Sequence, residues 1–382
     1  MRRVIVLGAG KIGGAICDLL GGSGDWQVTV ADRQKEFLSL VPEDRARREL
    51  VDVSDSASLT AIVDGNEYVV SALPFFLNPT VAQVCKQVGA HYFDLTEDVA
   101  TTRAVRDIAD GADVAFVPQC GLAPGFISTA AYDLTRRFDR LREVRMRVGA
   151  LPQFPVDALK YNLTWSTDGL INEYCNPCEA IRDGRITEML PLEGLESFSL
   201  DGVDYEAFNT SGGLGSLAET YGDRVKTMNY KTIRYPGHCE QMRLLMYGLK
   251  LNDDRDTLKR ILEKSVPQTL QDVVIIYAAV TGMQDGEFRE ENYVNKVYPQ
   301  VVAGRLWSAI QITTAAGICA IIDIVLSDPD NYHGFVAQEQ FSLADVLENR
   351  FGRYFAHGGD NRESAAMIAR GETGHQRSSA GG

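Results

Sequence analysis

The stretch VIVLGAGKIGGAI at residues 4–16, followed after a glycine-containing turn by QVTVAD at residues 27–32, decides the fold. It reads as apolar strand, GxGxxG, helix, second strand and acidic residue, the order of a βαβ unit that holds a dinucleotide. Gly8 permits the tight turn out of the strand, Gly10 lets backbone approach a pyrophosphate, and Gly13 lets the helix lie close to the sheet. Lys11 and Ile12 belong to the same loop, whose helix start offers free N–H groups and partial positive charge to phosphates. Ile12, Ile16, Leu19 and Leu20 fall at helical spacing, and Val28 to Ala31 reads as a buried strand. Asp32 stands where a carboxylate accepts both ribose hydroxyls and repels a 2′-phosphate, which favours NAD over NADP. Arg33 works the other way, because a guanidinium can pair with such a phosphate.

With 382 residues and 45% apolar content, the chain can bury about two domain cores. A net charge of −14 without basic clusters argues against nucleic acid or anionic membrane as a partner. The first strand begins at once, leaving no room for a secretory signal. The longest apolar stretch, near Ala315 to Leu326, is short and carries Asp323, so a cytoplasmic location is expected. Seven cysteines in such a chain are expected to be reduced. Cys175 and Cys178 form CNPC, and His238 with Cys239 would complete a zinc set. No second CxxC exists, however, and Pro177 suits a turn, so no metal is expected.

Strand and helix signals alternate to about residue 138. Strands are expected near 49–53, 68–73, 91–95 and 114–118, with helices between them at 80–88 and 101–109. The reading is α/β: a Rossmann-type doubly wound parallel sheet over residues 1–138. From about Leu141 the runs become β-rich and punctuated by Gly202, Gly222 and Asp285-Gly286, which predicts an inserted α+β domain over 139–303 with a mostly antiparallel sheet. A long helix from Arg305 to Leu326, with Leu306, Ile310, Ile318, Ile321, Ile322 and Val325 as an apolar stripe, is expected to pack back on the first domain within a return segment, 304–358. Residues 359–382 have little to bury and read as a flexible tail.

Ligands of such sheets bind beyond the carboxyl ends of strands. That directs attention to Asp52 and Val53, to Ala72, Leu73 and Pro74, and to Cys120 as cofactor contacts, with Cys120 a small wall residue rather than a nucleophile. Asp94, Thr96, Glu97 and Asp98 cluster after the fifth strand, where a carboxylate can hold a substrate ammonium or accept a proton; DLTED equally reads as a helix cap. Arg234 suits a carboxylate, against an ordinary ion pair, and His238 suits proton transfer, against a plain cap. Lys160 suits a carboxylate, against the commoner solvated lysine, and Trp165 with Asn162 and Ser166 occupies an amphipathic stretch that reads also as plain core.

The segments GAGKIGGAI, TVADR, VVSALPF, HYFDLTEDV, VPQCGLAPGFIS, MRVGALPQ, NLTWSTDGLINEY, EAFNTSGGLGSL, NYKTIRYPGH and SAIQITTAAGI together resemble the saccharopine dehydrogenase-like family, most closely its bacterial L-lysine 6-dehydrogenase members, from residue 1 to about 355. The resemblance implies a nucleotide domain joined to an α+β domain that carries substrate contacts and a homodimer or higher homo-oligomer interface. It places substrate contacts on Leu95-Thr96, 149–152, 209–211 and 234–238. Saccharopine-type reductases usually read GLDPG where this chain has Ala123, and they commonly lack an acidic residue matching Asp32. Both departures point to L-lysine with NAD. The implied activity is oxidative deamination of the ε-amine, with Asp94 or Glu97 anchoring the amine, His238 relaying protons and Arg234 holding the α-carboxylate. A saccharopine- or carboxynorspermidine-type reductase using NAD(P)H and a non-enzymatic NAD-responsive binding protein are the alternatives.

Overall fold

The computed structural model describes residues 1–356; the tail expected over 359–382 lies outside the described residues. The first sheet contains β1 (Arg2–Leu7), β2 (Trp26–Asp32), β3 (Arg47–Leu50), β4 (Tyr68–Ser71), β5 (His91–Asp94) and β6 (Ala115–Val117). After these the chain builds a second sheet. It contains β7 (Arg140–Pro152), β8 (Cys178–Arg182), β9 (Arg185–Met189), β10 (Glu196–Leu200), β11 (Val203–Asn209), β12 (Thr227–Arg234), β13 (Asp272–Gln284) and β14 (Glu287–Val297). A hairpin of β15 (Gln300–Val302) and β16 (Arg305–Trp307) follows, and β17 (Gly334–Phe335) returns to the first sheet.

The first sheet runs β17-β6-β5-β4-β1-β2-β3, parallel throughout. Strand order therefore reverses between β1 and β4, and ligands of doubly wound sheets bind in the crevice beyond the strand ends at that point. Alternate side chains of the central strands point to opposite faces. Ile5, Leu7, Val69, Tyr92 and Phe116 pack beneath the helices 56–63, 78–88 and 99–109. Val4, Val6, Val28 and Val30 join a second apolar cluster that continues through the helix Ala309–Ser327 into Val144, Met146, Val274 and Ile276 of the other sheet. One core thus ties both sheets together, with each fully buried aliphatic side chain contributing about 1.5–3 kcal/mol.

The second sheet runs β10-β11-β12-β7-β13-β14, with β8 on β12 and β9 on β8. All its pairs are antiparallel except β12 with β7. The helix expected from Arg305 begins later. Residues 305–307 form β16, since Ala303 and Gly304 take the left-handed conformation of a tight hairpin. Ser308 then caps the helix reciprocally with Gln311, so Leu306 belongs to the hairpin and not to the helical stripe. The hairpin is pinned to the first helix, Lys11–Ser23, through buried Asp18, which accepts from Trp307 Nε1 at 3.0 Å and pairs with Arg305 at 3.1 Å. The helix Ala309–Ser327 is long and apolar enough to cross a membrane, but it is mostly buried inside the protein, as a helix apolar on all sides must be.

Candidate active site

The glycine turn leaves an open cradle at the strand-order reversal. A Cβ on Gly13 would fall 1.9 Å from Gly8 O, so only glycine lets the helix start this close to the strand. A Cβ on Gly10 would meet nothing within 4 Å, and no side chain caps the helix that Gly10 opens. Backbone N–H groups thus face free space, as a diphosphate requires. Asp32 closes the cradle: Oδ2 accepts from Ala9 N and Oδ1 from Gln34 N, both at 2.8 Å. Arg33 is exposed beside it. Asp52 and Val53 lie just beyond β3, where Asp52 accepts from the Ser54 amide and hydroxyl. These residues fit a nicotinamide dinucleotide. Lys11, however, does not reach toward a phosphate. Its Nζ donates to Leu163 O at 2.8 Å, tying the first turn of the helix to the other half of the molecule, and burial lowers its pKa.

A cleft with room for about 170 Å³ of water-sized ligand centres, open to solvent, continues from this cradle. Ile12, Ala72, Leu73 and Pro74 wall it on the dinucleotide side, and Val148, Tyr161, Tyr230 and Thr232 on the other. Two carboxyl groups and one guanidinium reach it: Glu97, Glu173 and Arg234.

Arg234 ends β12 and is 3% exposed. Its Nε donates to Tyr174 Oη at 2.9 Å, one Nη donates to Ile233 O at 2.8 Å, and its guanidinium lies 4.7 Å from the Tyr161 ring centre. No ion pair neutralises it among the described residues. Burying a guanidinium without a carboxylate partner is costly unless a ligand supplies one.

Glu97 sits on the loop after β5, whose neighbours fit around it. A Cβ on Gly212 would strike Glu97 O at 2.0 Å, and one on Gly169 would lie 3.1 Å from Glu97 Oε1. That oxygen is buried and has no hydrogen-bond partner. Gly169 lies in the first turn of the helix Thr167–Cys175, capped by Ser166, and Glu173 lies one turn further along the same face. Glu173 is 7% exposed, and its carboxylate makes no hydrogen bond or ion pair among the described residues. Burial pushes the Glu97 carboxyl up to about 7, and burial together with the Glu97 charge pushes Glu173 up to about 8.

Besides Lys11, three sequence expectations need correction. Asp94 is fully buried behind the cleft: it accepts from Tyr92 Oη at 2.6 Å and from the amides of Thr96 and Gln119 at 2.9 and 3.0 Å, so it shapes the loop rather than touching a substrate. Thr96 does line the cleft. His238 is packed among Tyr161, Tyr174 and Phe208, with Nδ1 2.7 Å from Leu159 O and Nε2 3.0 Å from Tyr174 Oη. Burial and the Arg234 charge depress its pKa to about 3. It is a neutral prop for Tyr174, and so for Arg234, not a proton relay. Cys120 points away from the cleft, its Sγ 2.9 Å from Val117 O, while Gly121, Leu122 and Ala123 face in; burial raises the thiol pKa well above its usual value.

Lys160 donates to Pro236 O, and Asn209, Thr210 and Ser211 are buried beneath the site rather than in it. Of the segment 149–152, Ala150 reaches the cleft. Glu173 was missed. The signal was available as a carboxylate on the buried face of a short helix, beside Leu170, Ile171 and Tyr174.

A glycine-fingerprint parallel sheet, a second sheet and a charged cleft between them define a nicotinamide-dinucleotide-binding oxidoreductase. The chain belongs to the saccharopine dehydrogenase family: the models "Saccharopine dehydrogenase NADP binding domain" and "Saccharopine dehydrogenase C-terminal domain" match residues 4–117 and 121–356. It is 22% identical to the Saccharomyces cerevisiae "Saccharopine dehydrogenase [NADP(+), L-glutamate-forming]", over 98% of this chain and 86% of that protein. The mouse "Alpha-aminoadipic semialdehyde synthase, mitochondrial" is also 22% identical, but the match spans 63% of this chain and 27% of the mouse protein. Among solved structures, apo saccharopine dehydrogenase (L-Glu forming) from Saccharomyces cerevisiae shares the fold with a TM-score of 0.73 at 18% identity, covering 91% of this chain and 96% of that one. A homospermidine synthase from Legionella pneumophila in complex with NAD gives 0.65 at 13% identity, covering 93% and 90%.

Proposed function

We propose that the protein oxidises the ε-amine of L-lysine with NAD, giving 2-aminoadipate 6-semialdehyde and ammonia. The observation that carries this reading is the charge set of the cleft. One buried guanidinium, the buried Glu173 carboxylate and the half-buried Glu97 carboxylate, none ion-paired among the described residues, complement a substrate with one carboxylate and two ammonium groups. The two ends of that substrate are also distinguished. Glu97 follows β5 of the dinucleotide sheet, whereas Arg234 belongs to the second sheet, so a carboxylate on Arg234 leaves the distal amine toward Glu97 and the dinucleotide.

When bound, the dinucleotide supplies a hydride acceptor. The chain's own residues position and desolvate. Leu95, Leu122 and Pro74 exclude water, Arg234 fixes the carboxylate, and Glu97 faces the amine that must be neutral before its carbon is oxidised. Asp32, at the end of β2, supports NAD as the preferred dinucleotide.

The test is turnover by purified protein offered NAD or NADP with L-lysine, L-ornithine, saccharopine and diamines. Lysine with NAD is expected to give equal amounts of reduced dinucleotide and ammonia. Turnover of saccharopine alone, as in the relative's printed name, would replace this reading with a saccharopine dehydrogenase. A pH dependence accompanies it. Cation binding needs ionised carboxylates, and both glutamates have raised pKa values. Lysine affinity, read by titration, is therefore expected to rise as pH passes through roughly 7 to 8.

A further inference from the structure

The two glutamates of the cleft are not equivalent. Glu173 lies on the helix Thr167–Cys175 next to Tyr174, whose hydroxyl receives Arg234 Nε. Gly169, on which a Cβ would lie 3.1 Å from Glu97 Oε1, sits one turn before Glu173 on the same helix, at the end away from Tyr174 and Arg234. The order across the cleft is therefore Arg234, Glu173, Glu97. Tyr230 and Thr232, from the same strand as Arg234, also line the cleft and give that end a polar wall.

An α-amino acid carries its ammonium one carbon from its carboxylate. With the carboxylate on Arg234, the nearest carboxyl group to the α-ammonium is Glu173. We propose that Glu173 is a specificity residue that receives the α-ammonium of a diamino acid, leaving Glu97 to meet the reacting ammonium at the far end. This rests on the lysine reading of the site and adds a division of labour to it. The Glu97 carboxylate, which lines the cleft, accepts one proton from the reacting R–CH2–NH3⁺. The neutral amine then loses a hydride, two electrons and a proton together, from its carbon to the nicotinamide dinucleotide, while the nitrogen lone pair closes the C=N bond. The R–CH=NH2⁺ product adds water and releases ammonia. Glu173 exchanges no proton in this sequence. It selects which amines enter.

The experiment compares L-lysine with 6-aminohexanoate, which has the same carboxylate and terminal amine but no α-ammonium. Binding to the NADH-loaded protein is followed by calorimetry for the wild type, Glu173→Gln and Glu173→Asp. The wild type is expected to prefer lysine. Glu173→Gln is expected to weaken lysine by about 30-fold, the usual scale for removing one partner of a buried charge contact, while 6-aminohexanoate changes by less than about threefold. Glu173→Asp keeps the charge and is expected to keep part of the preference.

Equal weakening of both ligands, or unchanged lysine binding in Glu173→Gln, overturns the proposal. If Glu173→Gln does not fold, wild-type protein that binds the two ligands equally overturns it, and a preference retained by Glu173→Asp supports it. A Glu173-dependent preference without amine oxidation in the turnover assay would leave this assignment standing and remove the proposed reaction instead.

Discussion

Arg234→Ala is expected to lower kcat/KM for L-lysine by about 100-fold or more, corresponding to about 3 kcal/mol, while the dinucleotide dissociation constant stays within about twofold. The size follows from where the guanidinium sits. Arg234 is 3% exposed and without an ion pair among the described residues, so little water competes with an incoming carboxylate. Truncation removes the contact and leaves the substrate's carboxylate buried and unmatched. Because that carboxylate is held in ground and transition states alike, the loss should fall mainly on KM. Arg234→Lys is expected to recover little, since an ammonium cannot reproduce both the Nε contact to Tyr174 and the placement of the guanidinium over the Tyr161 ring. Steady-state kinetics with a separate dinucleotide titration measures both halves. A kcat/KM within about threefold of wild type would remove Arg234 from substrate binding.

The second large effect concerns stability. Asp272, fully buried at the start of β13, accepts from the amides of Ala309 at 2.6 Å and Ile310 at 3.0 Å, the first turn of the helix Ala309–Ser327. It joins the second sheet to the helix that packs on the first, and Ile310 and Thr314 of that helix also line the cleft. Asp272→Ala removes two carboxylate–amide hydrogen bonds and strands both donors, with an expected loss of about 3 kcal/mol in denaturant unfolding.

Burial raises the Asp272 pKa to about 7 despite those bonds. The folded state therefore binds more protons than the unfolded chain between about 4 and 7, and this group makes stability fall as pH rises through that window. Asp272→Asn should abolish that part of the slope while retaining one acceptor. An unfolding midpoint unchanged in Asp272→Ala would show that the joint is held elsewhere.

The contrast between these residues shows what was legible beforehand. The glycine turn, Asp32 and the alternating strands could be read directly, because their physics is local: a turn only glycine permits, a helix start, a two-residue strand period. Arg234 was also legible, as the last residue of a strand. Asp94 and His238 were placed on the right loops and given the wrong duties. Position at a strand end does not say which way a side chain points, and Asp94 shares its face with Tyr92, two residues back, whose hydroxyl claims it. His238 is claimed by aromatic rings from three distant segments. Cys120 failed the same way, by one residue. Glu173 was hidden because its meaning depends on Glu97 and Arg234 lining the same cleft, and separations of 76 and 61 positions leave no spacing rule to read. The late helix start at Ala309 had a local signal after all, in the Ala303-Gly304 turn and Ser308 cap.

The central claim is that the cleft holds lysine by its amino-acid head and presents its far carbon for oxidation. Its most direct test is the fate of deuterium carried at either end of the substrate. Lysine deuterated at the ε-carbon should pass label to the nicotinamide and react more slowly than unlabelled lysine, and lysine deuterated at the α-carbon should do neither. Label arriving from the α-carbon would contradict the account, because the head would then face the dinucleotide and Arg234 would hold something else.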